Sequence, residues 1–344
     1  MKKTNAFIRF IKVIKNLRDA IKINKIYMKD GKYNVSSHFT KISRKDSFSN
    51  LKTFSDLNEK SAKRNYFKRM AFYLQNIFNI KIKSTTKKFY GDMLIISSSN
   101  EQYKIFDFEK KQVLTKYKEY SKYERYKDNY NYLSRIYSIP EVTSFDDNDF
   151  VVIENYIKQE QSNINNEKII MDIVNLYIQN SGSFVKKSEE LKLCDRMDNF
   201  NIYGKLHNIY NNNKFTLIKC HGDLWQPNLI CSSEKNYYID FECVDYYSFF
   251  YDIFFYIFSS AYIMKDYTLV ENFAAGKYDE KFSELFKLYG FSFEGEKRAN
   301  YFCSFLFEYI NKKWKNIDDD NLEKQFNKLE QFIEKLGWKE FINE

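Results

Sequence analysis

The sequence predicts an α+β protein in two parts, a smaller strand-rich part followed by a larger helical one, with a basic helical stretch ahead of both. Three observations carry this. Short strand-like runs separated by tight polar turns crowd residues 91–156, apolar-periodic runs recur from 169 to 336, and charge splits along the chain. Residues 1–90 hold 23 Lys and Arg against 5 Asp and Glu, whereas the remainder holds 32 against 41. The whole-chain charge of +9 hides these two opposed parts. At 344 residues the chain can bury a sizeable core. The expected boundaries are 1–88 for the basic helical extension, 89–157 for the strand-rich part and 158–344 for the helical part.

In the extension, Phe7, Phe10, Ile11, Ile14, Leu17 and Ile21 recur at helical spacing, with Arg9, Lys12, Lys15 and Lys22 mostly on the other side. A second helix is expected over 57–78, with Asp56 and Glu59 as its cap. Strands follow over 91–97, 103–108 and 112–117, the last two joined by the turn Glu109-Lys110-Lys111. A charged helical run covers 121–133, and 138–142 and 150–156 read as two more strands. Ile169, Ile170, Ile173, Val174 and Tyr177 mark a helix, and another is expected through 191–210. Strands over 216–219, 229–231 and 237–239 then bracket a loop and a hairpin turn. The run 246–264 is almost wholly apolar apart from Asp252. A carboxylate in mid-span is costly in a bilayer, so this run is read as a buried helix. Helices over 280–288, 296–314 and 319–336 complete the chain. Tyr301, Phe305, Tyr309 and Trp314 either line a pocket there or fill the core.

The most informative stretch is Cys220-His221-Gly222-Asp223-Leu224-Trp225-Gln226-Pro227-Asn228, followed by Ile239-Asp240-Phe241-Glu242. His-x-Asp, an Asn five residues after the Asp, and a second Asp after the next hairpin form the catalytic-loop pattern of kinase-type phosphotransferases. His-x-Asp alone is common; the four residues in this order between two β-rich runs are specific. The bland alternative is a Ser/Asn hairpin with an incidental His-Gly-Asp turn. Phosphoryl transfer needs a carboxylate to receive or orient the acceptor hydroxyl, and oxygen ligands to hold Mg²⁺ against the phosphates. Asp223 is the candidate base. Asn228 and Asp240 offer the hard oxygen donors that Mg²⁺ requires.

These residues resemble the aminoglycoside phosphotransferase and choline kinase superfamily of small-molecule kinases, most sharply over residues 218–258. The resemblance implies a two-lobed protein-kinase-like fold and the use of ATP and Mg²⁺. It places the catalytic residues at Asp223 and His221, and the metal set at Asn228, Asp240 and Glu242. Ile239-Asp240-Phe241-Glu242 is similar to the choline/ethanolamine kinase form of the metal motif, with Glu in place of Gly. Asp252 matches the aspartate that braces the catalytic loop by hydrogen bonds. Upstream, Lys116 stands where the resemblance puts the lysine that holds the phosphates, with Glu124 as its ion-pair partner. Ser98 and Ser99 stand in the glycine-free loop between the first two strands, and Glu154 to Tyr156 would lend backbone groups to the adenine edge. The missing glycines depart from the pattern, because glycine lets backbone amides approach phosphates closely.

After Asp240 the chain runs straight into the Asp252 helix, with no room for an activation loop and no Ala-Pro-Glu segment, and Trp225 lacks the lysine common in Ser/Thr protein kinases. Both points favour a small acceptor. The resemblance at Phe241-Glu242 implies an amino alcohol such as choline or ethanolamine, while the basic extension suits a sugar or cell-envelope glycan. ATP and GTP both stay open. The rival reading is a catalytically degenerate kinase-like module acting through its basic extension. Residues 1–90 could dock on the acidic part, lie on an anionic membrane surface, or bind nucleic acid, the last without any accompanying motif. Five cysteines without paired spacing predict a reducing cytoplasm and argue against zinc. The expected location is cytoplasmic, with peripheral attachment at the inner membrane surface left open.

Overall fold

Local alternation and turn chemistry account for most of the strands. The computed structural model describes residues 23, 26–35, 41–44, 80–82, 87–97, 101–159, 165–187, 195–197, 199–232 and 235–338. They divide into two units, one drawn from Met1–Lys127 and Pro140–Ile157, the other from Asp128–Ile139 and Lys158–Glu344.

In the first unit, β4 (Met93–Ile96), β5 (Gln102–Asp107), β6 (Gln112–Tyr117), β7 (Val142–Asp146) and β8 (Val151–Asn155) pair antiparallel. Aspartates shape the tight turns. Asp107 Oδ1 accepts the amides of Glu109 and Lys110, each at 3.1 Å, and Lys111 adopts the left-handed φ of +53° that closes the hairpin. Asp146 accepts the amides of Asn148 and Asp149 in the same way, ahead of Phe150 at φ +53°. Three further strands, β1 (Gly31–Val35), β2 (Lys41–Arg44) and β3 (Ile80–Ile82), extend the sheet to the order β3-β1-β2-β4-β5-β6-β8-β7. Residues 1–88 are thus not helical throughout. These strands are short, and the ladders of β1 with β3 and of β2 with β4 join segments far apart in the chain, so periodicity does not announce them. The amphipathic helices expected over 7–21 and 57–78 lie outside the described residues.

The two sheet faces have different coverings. Leu94, Ile96, Tyr103, Ile105, Leu114 and Val151 pack with Tyr27, Met28 and Tyr33 on one face. Tyr117 and Val152 pack with Tyr123 of α1 (Tyr120–Leu133) on the other. Gly91 sits where Met28 bridges to the sheet, and a Cβ there would run into the Ile105 side chain.

In the second unit, β9 (Lys186–Lys187), β10 (Leu217–Cys220) and β13 (Asp245–Ser248) form a small sheet in the order β13-β10-β9. β11 (Leu229–Cys231) and β12 (Asn236–Tyr238) form a separate hairpin. Around them lie α2 (Asn166–Gln179), α3 (Asn201–Asn211), α4 (Tyr251–Tyr262), α5 (Thr268–Ala274), α6 (Asp279–Leu288), α7 (Arg298–Lys313) and α8 (Asp319–Lys335). The helix expected over 191–210 is shorter than predicted. Asp195–Met197 is a 3-10 turn and Phe200 is extended, so α3 begins only at Asn201.

α4 is buried on all sides, with Phe254 packed against Phe273, Phe282, Phe302 and Phe305. Its 12 residues span about 18 Å, well short of a bilayer core. Among the described residues no helix is long and apolar enough to cross a membrane. Tyr301, Phe305 and Trp314 are buried core residues.

Candidate functional site

The catalytic-loop residues leave β10 and are fastened from behind by one buried carboxylate. Asp252, in the first turn of α4, is fully buried. Its Oδ2 accepts the His221 amide at 3.0 Å, the Tyr177 hydroxyl at 2.6 Å and the Tyr137 hydroxyl at 3.3 Å, while Oδ1 accepts the Gly222 amide at 2.8 Å. Four donors and a helix N-terminus stabilise the charge without a cation. Burial, with the Asp252 charge second, pushes the Tyr137 and Tyr177 hydroxyls well above the ordinary tyrosine range, so both remain donors.

Gly222 turns the chain at φ +73°, and a Cβ there would collide with the Cys243 carbonyl and the Tyr247 ring. The fully buried His221 donates from Nε2 to the Ile239 carbonyl at 3.0 Å and accepts the Asp223 amide on Nδ1 at 3.3 Å. Both ring nitrogens are therefore engaged within the protein. His221, grouped with Asp223 as catalytic from the sequence, here braces the catalytic loop against the residue before Asp240.

Asp223 presents a clamped carboxylate. Asn228 Nδ2 donates to the Asp223 carbonyl at 2.8 Å and to Oδ2 at 3.0 Å, and Lys313 Nζ lies 2.7 Å from Oδ1. Each carboxylate oxygen keeps a further lone pair for an acceptor hydroxyl. With its amide nitrogen held this way, Asn228 has its amide oxygen left for a cation. Asp240 adopts the left-handed φ of +71° as the chain enters the 3-10 turn Phe241–Cys243, a conformation that costs energy for a non-glycine residue. The Asp223, Asp240 and Lys313 charges all act on the Cys243 thiol, which burial above all pushes upward. Asn129 of α1 secures the turn by donating to the Phe241 carbonyl at 2.9 Å. Glu242 lies exposed on this turn.

Among the described residues no three His, Cys, Asp or Glu side chains converge into a metal cage. One carboxylate and one amide suit Mg²⁺ held jointly with substrate phosphates, as that ion prefers. Asn228 and Asp240 fit that requirement.

Residues 141–289 match the model of the ecdysteroid kinase-like family. The segment contains the whole loop, from His221 through Asp240 to Asp252. No curated protein sequence matches the chain. Solved structures similar to it include a choline/ethanolamine kinase family protein from Mesorhizobium loti, at 14% identity and a TM-score of 0.40, covering 73% of this chain and 91% of that one. Choline kinase LicA from Streptococcus pneumoniae is similar at 14% identity and a TM-score of 0.41, covering 70% and 91%. An ethanolamine kinase from Plasmodium vivax is similar at 14% identity and a TM-score of 0.38, covering 63% and 73%.

The expected nucleotide residues belong to the first unit, and there the structure departs from the expectation. Lys116 pairs across the ladders with Tyr103 and Val151, which belong to the face covered by Tyr27 and Met28. Its Nζ donates to the Asp149 carbonyl at 2.6 Å, and burial lowers its pKa. Glu124 is on α1, whose Tyr123 packs on the opposite face, and accepts from Tyr120 at 3.1 Å. Strand alternation thus separates the expected ion pair. The lysine on the α1 face is Lys104, which partners Thr115 in the ladder and acts on Glu154. Glu154 accepts from Tyr126 at 2.8 Å, and burial raises its pKa. The Tyr156 amide donates to the Lys111 carbonyl, and its ring packs edge-on against Phe106 and Phe108. Ser98 and Ser99 lie outside the described residues.

Lys313 is the site residue that sequence reasoning missed. A signal was present: it lies four residues after Tyr309 and eight after Phe305, on the apolar stripe of α7. A lysine continuing a buried stripe calls for an anionic partner.

Proposed function

We propose that this kinase transfers the γ-phosphoryl group of ATP, with Mg²⁺, to a hydroxyl of a small molecule, an amino alcohol or a sugar-like polyol. The observation that carries this reading is the Asp223 carboxylate, clamped by Asn228 and Lys313 in a loop anchored on Asp252. Asp223 receives the acceptor proton as the hydroxyl oxygen attacks the γ-phosphorus and the bond to the bridging oxygen breaks to release ADP, while Asn228 and Asp240 would supply oxygen ligands to the metal. When bound, Mg²⁺ would offset the phosphate charge and orient the phosphates. Fixing Asp223 before the acceptor arrives lowers the ordering cost of the reactive geometry.

A second reading, a kinase-like module with a degenerate nucleotide site, draws on Lys116, whose ammonium is spent on a carbonyl on the other sheet face. One thermal-shift experiment separates the two. ATP with Mg²⁺ should raise the melting temperature of the wild type, and Asp240→Ala should lose the Mg²⁺-dependent part. No shift at millimolar nucleotide would favour the degenerate module.

A further inference from the structure

We propose that Lys313 is an acceptor-positioning residue that turns this kinase toward neutral or anionic hydroxyl compounds and against cationic amino alcohols. The inference rests on the phosphotransferase reading above and narrows its acceptor class. A lone carboxylate at the base position would attract a cation placed beside the reacting hydroxyl. Here Lys313 Nζ lies 2.7 Å from Asp223 Oδ1, with the two side chains only 20% and 27% exposed. At that depth water screens the pair weakly, so the ammonium cancels the attraction of the carboxylate.

Local geometry fixes the lysine in place. Lys313 occupies the last turn of α7, where a cation complements the helix dipole. It also donates to Cys243 Sγ at 3.1 Å, and its ammonium lies 5.6 Å from the centre of the Phe255 ring. Desolvation acts to neutralise it, but Asp223 and Cys243 outweigh that effect and hold its pKa above the ordinary lysine value. The neighbouring Lys312 is committed elsewhere, to Asp245 at 2.6 Å. Choline carries its charge two carbons from the hydroxyl. When that hydroxyl reaches Asp223, the quaternary nitrogen comes within a few ångströms of the Lys313 charge. An uncharged polyol meets no such repulsion, and a carboxylate or phosphate near the reacting carbon gains from it.

The test uses acceptors matched in shape and differing in charge: choline against 3,3-dimethyl-1-butanol, and ethanolamine against 1-propanol. ADP release is measured for the wild type, Lys313→Met and Lys313→Arg, with nucleotide binding followed by thermal shift in each protein. The wild type should favour the neutral member of each pair in kcat/KM. Lys313→Met should move the ratio toward the cation by about tenfold or more, and Lys313→Arg should keep the wild-type preference. A purely structural lysine would lower all rates together and leave the ratios unchanged, and that result overturns the proposal. So does a wild type that prefers choline. Where turnover is too slow to measure, binding of each pair to the nucleotide complex is read instead. A Lys313→Met protein that gains no affinity for the cation then overturns it. Retained nucleotide binding distinguishes these failures from failure of the phosphotransferase reading itself.

Discussion

Replacing Asp252 with Asn tests how the catalytic loop is held. The change keeps side-chain size but removes the charge and converts one acceptor oxygen into a donor. In the native protein that carboxylate receives two backbone amides, from His221 and Gly222, and two tyrosine hydroxyls. The hydroxyls can rotate to serve as acceptors; a backbone amide cannot. At least one buried N–H would then face another donor. An unsatisfied buried donor costs about 1–3 kcal/mol, and weakening the remaining charge-assisted bonds adds about 1 kcal/mol. Relief of a buried charge works the other way, but four donors and a helix terminus already stabilise that charge in place. A net loss of about 2–4 kcal/mol is expected from denaturant unfolding with an unchanged m-value. Displacing Asp223 by even an ångström should also lower turnover about 100-fold. An Asp252→Asn protein within about 0.5 kcal/mol of wild type would refute the reasoning, since surface substitutions alone scatter that much.

Other perturbations give distinct readouts. Asp223→Asn should lower turnover by about 10²–10⁴-fold with nucleotide binding intact, and near-normal ADP release would remove Asp223 as the base. Gly222→Ala combines a left-handed backbone with a collision against the Cys243 carbonyl, and should cost about 2–5 kcal/mol in denaturant unfolding; a neutral result would mean that the loop can move aside. Glu308 is fully buried beneath β13, accepting the Ser248 amide at 2.9 Å and the Ser248 hydroxyl, and desolvation raises its pKa from 4.5 to about 7. The folded state therefore keeps a proton that the unfolded chain releases above about pH 4.5, so this group's contribution to stability falls as pH rises from 4.5 to 7. The loss is about 3 kcal/mol and levels off above pH 7. Glu308→Gln should flatten unfolding free energy across pH 5 to 8; an unchanged slope would assign it to other groups.

Sequence alone settled whatever depends on near neighbours. Gln102–Asp107 forms the strand that the alternation of 103–108 requires, and α6, α7 and α8 match the apolar spacing of 280–288, 296–314 and 319–336 to within a few residues. The loop around Asp223 was legible because its chemistry demands four residue types at fixed separations. Tertiary structure decided what depends on which surfaces meet. Alternation puts Lys116 and Tyr117 on opposite faces, but only packing showed that α1 covers the face of Tyr117. β1 pairs with β3, and β2 with β4, through ladders whose partners are far along the chain, and no local pattern encodes a distant partner. Lys313 and Asp223 are 90 residues apart. Lys312 and Lys313 look alike in sequence, yet a rotation of about 100° per residue on the helix sends one to Asp245 and the other to the catalytic carboxylate.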